Sequence, residues 1–185
     1  MLTIEDEIAH HEEVMAMTVT VRRQRVDRSE TEVGKVDEPT STTMDRQVLI
    51  KGLNHDLAGE YQAILMYIHY SARLTGPYRR ELRALFQAEI GDEKAHAQFL
   101  AGKIAALGGE PTTEPRPVPQ ADQPRAMLEN ALAAEEQAIA DYNERIQQAE
   151  SFGAFGLKVE LENQVADETR HKEELERIIA GWEER

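Results

Sequence analysis

Apolar residues recur three or four positions apart in four long stretches of the chain, which is the spacing of one face of an α-helix. In the first stretch, Leu53, Leu57, Ile64 and Tyr67 follow this period. Glycine and proline occur where each stretch ends, as is typical of helix boundaries. The pattern therefore predicts four helices, at about residues 45–74, 77–107, 125–150 and 157–182.

Two kinds of connection separate the predicted helices. Short glycine-containing turns, TGPY and SFGAFG, join the first helix to the second and the third to the fourth, so each pair should form a hairpin. The segment 110–124 has five prolines in fifteen residues, which excludes a helix interior. About 14 residues of polyproline II span about 43 Å, close to the length of a 30-residue helix. The sequence thus predicts an all-α four-helix bundle. Its long crossover lets the third helix run parallel to the second. The sequence is also compatible with a slack loop and an antiparallel third helix.

Residues 1–44 do not share this pattern. They include a short alternating segment, TVTVRRQRV, and then the polar, turn-rich segment DRSETEVGKVDEPTSTTMDR. The latter cannot bury enough apolar surface to order itself. We predict an N-terminal extension over residues 1–44 that is largely flexible, followed by one helical domain over residues 45–185.

The two predicted hairpins are copies of each other. Adding 75 to each of ten positions in the first hairpin gives the same residue type in the second, on both sides of the turn. The matched pairs are Leu53/Leu128, Leu57/Leu132, Glu60/Glu135, Ile64/Ile139, Tyr67/Tyr142, Asp92/Asp167, Glu93/Glu168, His96/His171, Leu100/Leu175 and Ile104/Ile179. The chain therefore carries a duplicated hairpin with a Glu on one helix and Glu-x-x-His on the next.

Six ionisable residues of this repeat are predicted to face the core. Glu60, for example, lies within roughly 60° of its apolar neighbours around the helix axis. Unpaired buried carboxylates cost several kcal/mol each and repel one another. Two divalent cations would compensate them, and iron or manganese suits carboxylate and imidazole ligands. The candidate ligands are Glu60, Glu93, His96, Glu135, Glu168 and His171.

Composition narrows the chemistry further. The chain has no cysteine, which excludes disulfides, thiolate nucleophiles and thiolate-bound metal clusters. Its formal net charge of −14 disfavours nucleic acid and membrane surfaces and attracts cations, although such a charge also serves solubility. It has no apolar run of 18 residues, and its first residues are too acidic for a signal peptide, so we expect a cytoplasmic protein that does not contact membranes.

The two copies of Glu plus Glu-x-x-His resemble the ferritin-like superfamily, and most closely the bacterioferritins and other ferritin-type di-iron proteins. The resemblance covers residues 45–182 and implies an antiparallel four-helix bundle with one long crossover. It further implies that Glu60 and Glu135 are terminal ligands, that Glu93 and Glu168 bridge two iron ions, and that His96 and His171 are nitrogen ligands. Tyr67 matches the tyrosine that bacterioferritins keep beside the centre.

The activity implied by this resemblance is ferroxidation, the oxidation of Fe(II) with O₂ or H₂O₂ for iron storage, detoxification and protection from oxidative stress. It also implies a homo-oligomer, from a dimer up to a cage. Lys94 stands where bacterioferritins carry the methionine that binds haem, so we expect no haem.

Several alternatives stay open at this level. A dimetal peroxide-scavenging enzyme similar to manganese catalase or the erythrins would carry the same ligands, and a bundle held by salt bridges without metal is the structural alternative. A DNA-protecting ferritin-like protein could contact phosphates through the arginines of residues 22–28, but the net charge disfavours it. Among neighbouring glutamates, the repeat selects Glu135 over Glu136. Glu89 lies near the inward face of its helix and has no carboxylate counterpart at Gln164; a role beside the ligands or in iron entry is open, but we predict a solvated face.

Overall fold

The computed structural model describes residues 45–182, and the predicted extension with its arginines lies outside the described residues. The described part folds into four helices, which confirms the all-α prediction. They are α1 (Arg46–Arg73), α2 (Arg79–Ala106), α3 (Pro124–Phe152) and α4 (Phe155–Ala180). The predicted bounds hold to within a few residues. Pro77 precedes α2 rather than opening it, because Gly76 has φ 86° and the next two residues complete the turn.

The helix ends follow from local chemistry. Asp45 caps α1, because its carboxylate accepts a hydrogen bond of 2.9 Å from the Gln47 N–H. Proline opens α3 at a position where its missing N–H costs nothing. Gly153 ends α3 with φ 80°, the left-handed conformation that glycine adopts most easily. This cap lets α4 begin at Phe155 and return along α3.

The apolar core consists of two clusters at different heights along the bundle. One cluster contains Tyr70, Phe86 and Met127, and the other contains Leu53 and Leu161. The helices α1 and α2 pack as one hairpin and α3 and α4 as the other; α1 also packs on α3, whereas α2 and α4 lie close only locally. Within residues 45–182, no helix is apolar over enough of its length to span a membrane.

The proline-rich crossover runs along α1. Its residues bind α1 in sequence order: the Thr112 N–H donates to Asn54 Oδ1 (2.6 Å), and the Tyr70 hydroxyl donates to the carbonyl of Pro119 (2.7 Å). The crossover therefore carries the chain from the first half of α1 to its far end. As a result α3 runs antiparallel to α1 and parallel to α2, which confirms the predicted crossover topology.

Candidate metal centre

A layer of four carboxylates and two imidazoles lies between the two apolar clusters. Each side chain is buried, with at most 9% of its residue exposed. The structure brings together all six residues selected from the sequence: Glu60 from α1, Glu93 and His96 from α2, Glu135 from α3, and Glu168 and His171 from α4. They converge because the ligand residues of each helix lie at about the same distance along the helix axis from the hairpin turn.

The layer divides into two groups of possible ligands. In each group, one ligand atom per residue lies within 4.8 Å of all the others. The first group is Glu60, Glu93, His96 and Glu168, and the second is Glu93, Glu135, Glu168 and His171. Because Glu93 and Glu168 belong to both groups, the two sites would share two carboxylates.

Buried polar atoms in this layer are not satisfied by well-directed hydrogen bonds. Among the described residues, this holds for Oε2 of Glu60, Oε1 of Glu93, both carboxylate oxygens of Glu168, and Nδ1 of His96 and His171, although the two Nδ1 atoms lie 2.9 and 3.3 Å from the Glu168 oxygens. Each such atom costs about 1–3 kcal/mol when buried. Carboxylate oxygens and imidazole nitrogens without thiolates are a donor set that iron and manganese accept. The residues therefore fit a pair of divalent cations.

Two tyrosines bind the carboxylates that the ligand groups do not share, Glu60 of the first group and Glu135 of the second. The Tyr67 hydroxyl of α1 donates to Oε1 of Glu135 on α3, and the Tyr142 hydroxyl of α3 donates to Oε1 of Glu60 on α1. Burial and the nearby carboxylates raise the pKa of both tyrosines, so both remain protonated donors. The family resemblance pointed to Tyr67 alone, although the repeat matches it with Tyr142.

Two aspartates contact the outer nitrogens of the histidines. His96 Nε2 lies 3.6 Å from Oδ2 of Asp167, and His171 Nε2 lies 3.4 Å from Oδ2 of Asp92. Each contact crosses from α2 to α4. A carboxylate at this nitrogen favours the ring orientation and tautomer that leave Nδ1 for a metal. The repeat matches these two aspartates but gives them no role; their position directly before each inward Glu was the signal in the sequence.

Comparison with known proteins agrees with this geometry. The model of the Ferritin family, the ferritin-like domain, matches residues 50–184. The chain belongs to the ferritin-like family. No curated protein gives a significant match to it.

Solved structures of ferritin-like proteins resemble this chain. A ferritin-like diiron-carboxylate protein from Bacillus anthracis str. Ames is 46% identical, with 77% of this chain and 99% of that chain covered and a TM-score of 0.72. The bacterioferritin of Rhodobacter capsulatus, described with a metal-free dinuclear site and haem iron, is 27% identical over 72% and 84%, with a TM-score of 0.62. The dodecameric thioferritin from Bacteroides fragilis, a bacterioferritin-related protein, is 22% identical over 75% and 88%, with a TM-score of 0.69, and shows the fold alone.

The two halves of this ferritin-like site are not equivalent. Oε2 of Glu89 lies 2.9 Å from Nε2 of His171, and the Glu89 side chain is only 16% exposed. The prediction that Glu89 lies on a solvated face is therefore wrong, because the side chain reaches across from α2 to a histidine on α4. Its counterpart in the repeat is the buried Gln164, which carries no charge. His171 thus has a carboxylate partner that His96 lacks at the matched position.

Without metal, protons neutralise much of the ferritin-like layer. Burial lowers the pKa of His96, but the surrounding carboxylates, Glu168 foremost, outweigh burial and raise it to about 12. Burial raises the pKa of Glu168, whereas the imidazoles of His171 and His96 outweigh burial and lower it to about 2. Burial raises the pKa of Glu135 to about 8 and that of Glu93 well above its ordinary value. At pH 7 the metal-free layer therefore holds imidazolium rings and protonated carboxyl groups.

Metal binding is expected to release these protons. Because the pKa of His96 lies above 7 and a ligating imidazole must be neutral, a metal ion has to displace the proton, and metal affinity should rise with pH. We expect at least about two protons per chain at pH 7. Calorimetric titration with Mn(II) in two buffers of different ionisation enthalpy measures this number, and heats that do not depend on the buffer would contradict the prediction.

The two tyrosines are expected to contribute equally. Replacing either Tyr67 or Tyr142 with phenylalanine removes one hydrogen bond to a buried carboxylate, and each change should weaken metal binding about 10-fold. Tyr70→Phe is the matched control, because that hydroxyl binds the crossover and not the layer. Competition between Co(II) and a chelator gives the affinities. An effect confined to Tyr67→Phe would show that the reciprocal contacts are not equivalent.

Proposed function

We propose that this ferritin-like protein is a di-iron ferroxidase that oxidises Fe(II) with O₂ or H₂O₂ for iron storage, detoxification and protection from oxidative stress. The observation that carries the proposal is that Glu93 and Glu168 belong to both buried ligand groups. Two iron ions that both used these carboxylates would be close enough to deliver two electrons to one oxidant, which a lone ion could not do.

The chain's own residues would bind, orient and exchange protons. Glu60 and Glu135 would each hold one ion, with their carboxylates fixed by the two tyrosines across the α1–α3 contact. Two Fe(II) lose one electron each, and O₂ takes up both electrons and two protons to form H₂O₂; H₂O₂ would instead form two waters. The apolar clusters on both sides exclude bulk water from the layer.

Anaerobic titration with Fe(II), followed by oxygen, tests the proposal. The absorbance of oxidised iron should rise to a break near about two irons per chain, since the layer offers two ligand groups. Mineral retained with the protein on gel filtration would support storage. A chain that binds no Fe(II), or binds it without oxidation, would contradict the proposal.

The adjacent residues Glu135 and Glu136 give the matched pair for this experiment. Glu135 is buried in the layer, whereas Glu136 is exposed on the same helix. Glu135→Ala is expected to lose iron oxidation by at least about 100-fold, while Glu136→Ala should keep it within about 2-fold, because only the first change removes a ligand. If both variants behave alike, the proposed assignment of ligands is wrong.

A dimetal peroxide-scavenging enzyme is the second candidate, because the same donor set accepts manganese. Rapid dismutation of H₂O₂ by the Mn(II)-loaded protein, without formation of mineral from Fe(II), would favour this function. The proposed storage role also requires a hollow homo-oligomer. Light scattering of the native protein measures its size directly.

A further inference from the structure

A small cavity between α1 and α3 reaches the carboxylate layer from the side of the bundle. It has a volume of about 20 Å³, which is room for about one water molecule. Its lining includes the layer residues Glu60, Glu93 and Glu135. Towards the crossover it is lined by Asp141 and Arg116. The cavity thus connects a partly exposed arginine with carboxylates that are almost fully buried.

Arg116 belongs to the crossover and bridges both helices at this cavity. Its backbone N–H donates to the carbonyl of Ala58 (2.9 Å). Its Nη2 donates to the carbonyl of His55 on α1 (2.8 Å) and to Oδ2 of Asp141 on α3 (2.6 Å). A Cβ atom at Gly59 would lie 3.2 Å from the Arg116 Cζ, so the glycine lets the guanidinium lie directly against α1.

Within residues 45–182, the guanidinium is the one cationic group that lines this cavity. A metal ion approaching the layer between α1 and α3 would meet this positive charge and would be repelled by it. With Arg116 in place, the cavity has room for a single water but none for a hydrated divalent cation. Behind the guanidinium, the ionisable side chains that line the cavity within the described residues are carboxyl groups, apart from the tyrosine hydroxyl, and a divalent cation can bind them by displacing their protons.

The hydrogen bonds of Arg116 are incomplete. A guanidinium has five N–H donors, and the bonds to Asp141 and His55 both come from Nη2. Its buried Nε has no acceptor within residues 45–182. The Arg116 side chain also remains 19% exposed, so it has solvent to move into. Few contacts therefore have to break for the guanidinium to leave the cavity.

We propose that Arg116 gates the access of divalent metal ions to the buried layer. The guanidinium closes the route between α1 and α3, and its displacement from Asp141 opens a carboxylate-lined path to Glu60 and Glu135. This inference rests on the proposed metal centre and concerns the rate of loading rather than the number of ions bound. A side chain of the crossover thereby controls a site built entirely by the four helices.

Stopped-flow mixing of the metal-free full-length chain with Co(II) tests the gate, because Co(II) bound by carboxylates and imidazoles gives a visible absorbance. Arg116→Gln keeps a polar side chain of similar length but removes the charge. It is expected to load Co(II) at least about 5-fold faster than the unchanged protein, with the same final stoichiometry, since a repelling charge no longer faces the incoming cation. Circular dichroism checks that the variant is folded.

Arg73→Gln is the matched control. Arg73 also ties α1 to the crossover, through Asp122 (2.5 Å), and its loss changes the net charge equally. It should load Co(II) within about 2-fold of the unchanged protein, because it does not line the cavity. If Arg116→Gln fails to fold, Arg116→Met replaces it and should also load faster than the unchanged protein, because methionine carries no charge that repels the incoming cation.

The outcomes separate the gate from the proposed function. Unchanged or slower loading by the folded Arg116 variant, with about two ions bound at equilibrium, overturns the gate and leaves the metal centre intact. An equal acceleration in Arg73→Gln would also overturn it, because net charge alone would then explain the rate. Failure of the unchanged protein to bind Co(II) at all would refute the proposed metal centre and the gate with it.

Discussion

Replacing Glu168 with glutamine is expected to abolish the binding of both metal ions. Glu168 belongs to both ligand groups and is 0% exposed, and its two carboxylate oxygens lie 2.9 Å from Nδ1 of His96 and 3.3 Å from Nδ1 of His171. Glutamine preserves the shape but removes the charge and directs an N–H₂ group into the layer. We expect the stoichiometry to fall from about two ions per chain to fewer than about one, and affinity to fall at least about 100-fold. Mn(II) titration followed by electron paramagnetic resonance measures both quantities.

The matched control for this prediction is Glu173→Gln, an exposed glutamate on the same helix, which should bind metal normally. A second readout comes from the metal-free protein. Because Glu168 is the foremost carboxylate that raises the pKa of His96, the variant should titrate this imidazole at lower pH, which NMR can follow. A Glu168→Gln protein that still binds two ions would show that the two groups do not share this carboxylate.

The second large effect concerns stability rather than metal. Asp56 accepts hydrogen bonds from Nε (2.8 Å) and Nη2 (3.1 Å) of Arg145, and both side chains are buried between α1 and α3. Asp56→Ala would leave a buried guanidinium without its carboxylate. We expect a loss of about 3–5 kcal/mol in the free energy of unfolding, measured by urea denaturation of the metal-free protein. Metal stoichiometry should not change, because neither residue belongs to the ligand groups.

Two control variants show how much of the lost unfolding free energy comes from the unpaired buried charge. The double variant Asp56→Leu with Arg145→Met removes both charges and should recover most of the lost stability, since apolar residues of similar volume can replace a buried ion pair. Glu176→Ala breaks the solvent-exposed pair with Lys172 and should lower the free energy of unfolding far less than Asp56→Ala does. A cost below about 1 kcal/mol for Asp56→Ala would show that the buried pair contributes no more than an exposed one.

Much of the candidate site could be predicted because it is built from helices. An α-helix relates sequence spacing directly to direction, so Glu60 could be assigned to the same face as Leu57 without coordinates. The duplication then resolved the neighbouring glutamates. It selected Glu135, which the structure buries, over Glu136, which it exposes. The choice needed no knowledge of which helices touch.

The contacts around the site could not be predicted in this way. Glu89 looked solvated because its own helix places it at the edge of the apolar face. Its contact with His171 depends on the local separation of α2 and α4, which no residue spacing encodes. The repeat also placed Tyr67 and Tyr142 in equivalent positions. It did not predict that each tyrosine donates a hydrogen bond to the glutamate of the other hairpin, because this contact requires the antiparallel packing of α1 on α3.

The sequence by itself determined the four helices, the long crossover and the six inward ionisable residues, because these depend on local periodicity and on a repeat within the chain. The resemblance to ferritin-like proteins implied that Glu93 and Glu168 are the shared carboxylates. Tertiary structure alone decided that Asp56 and Arg145 pair in the core and that Arg116 lies over the cavity. The physical reason is that these features depend on distances between helices and the crossover, which packing sets and which local propensity leaves open.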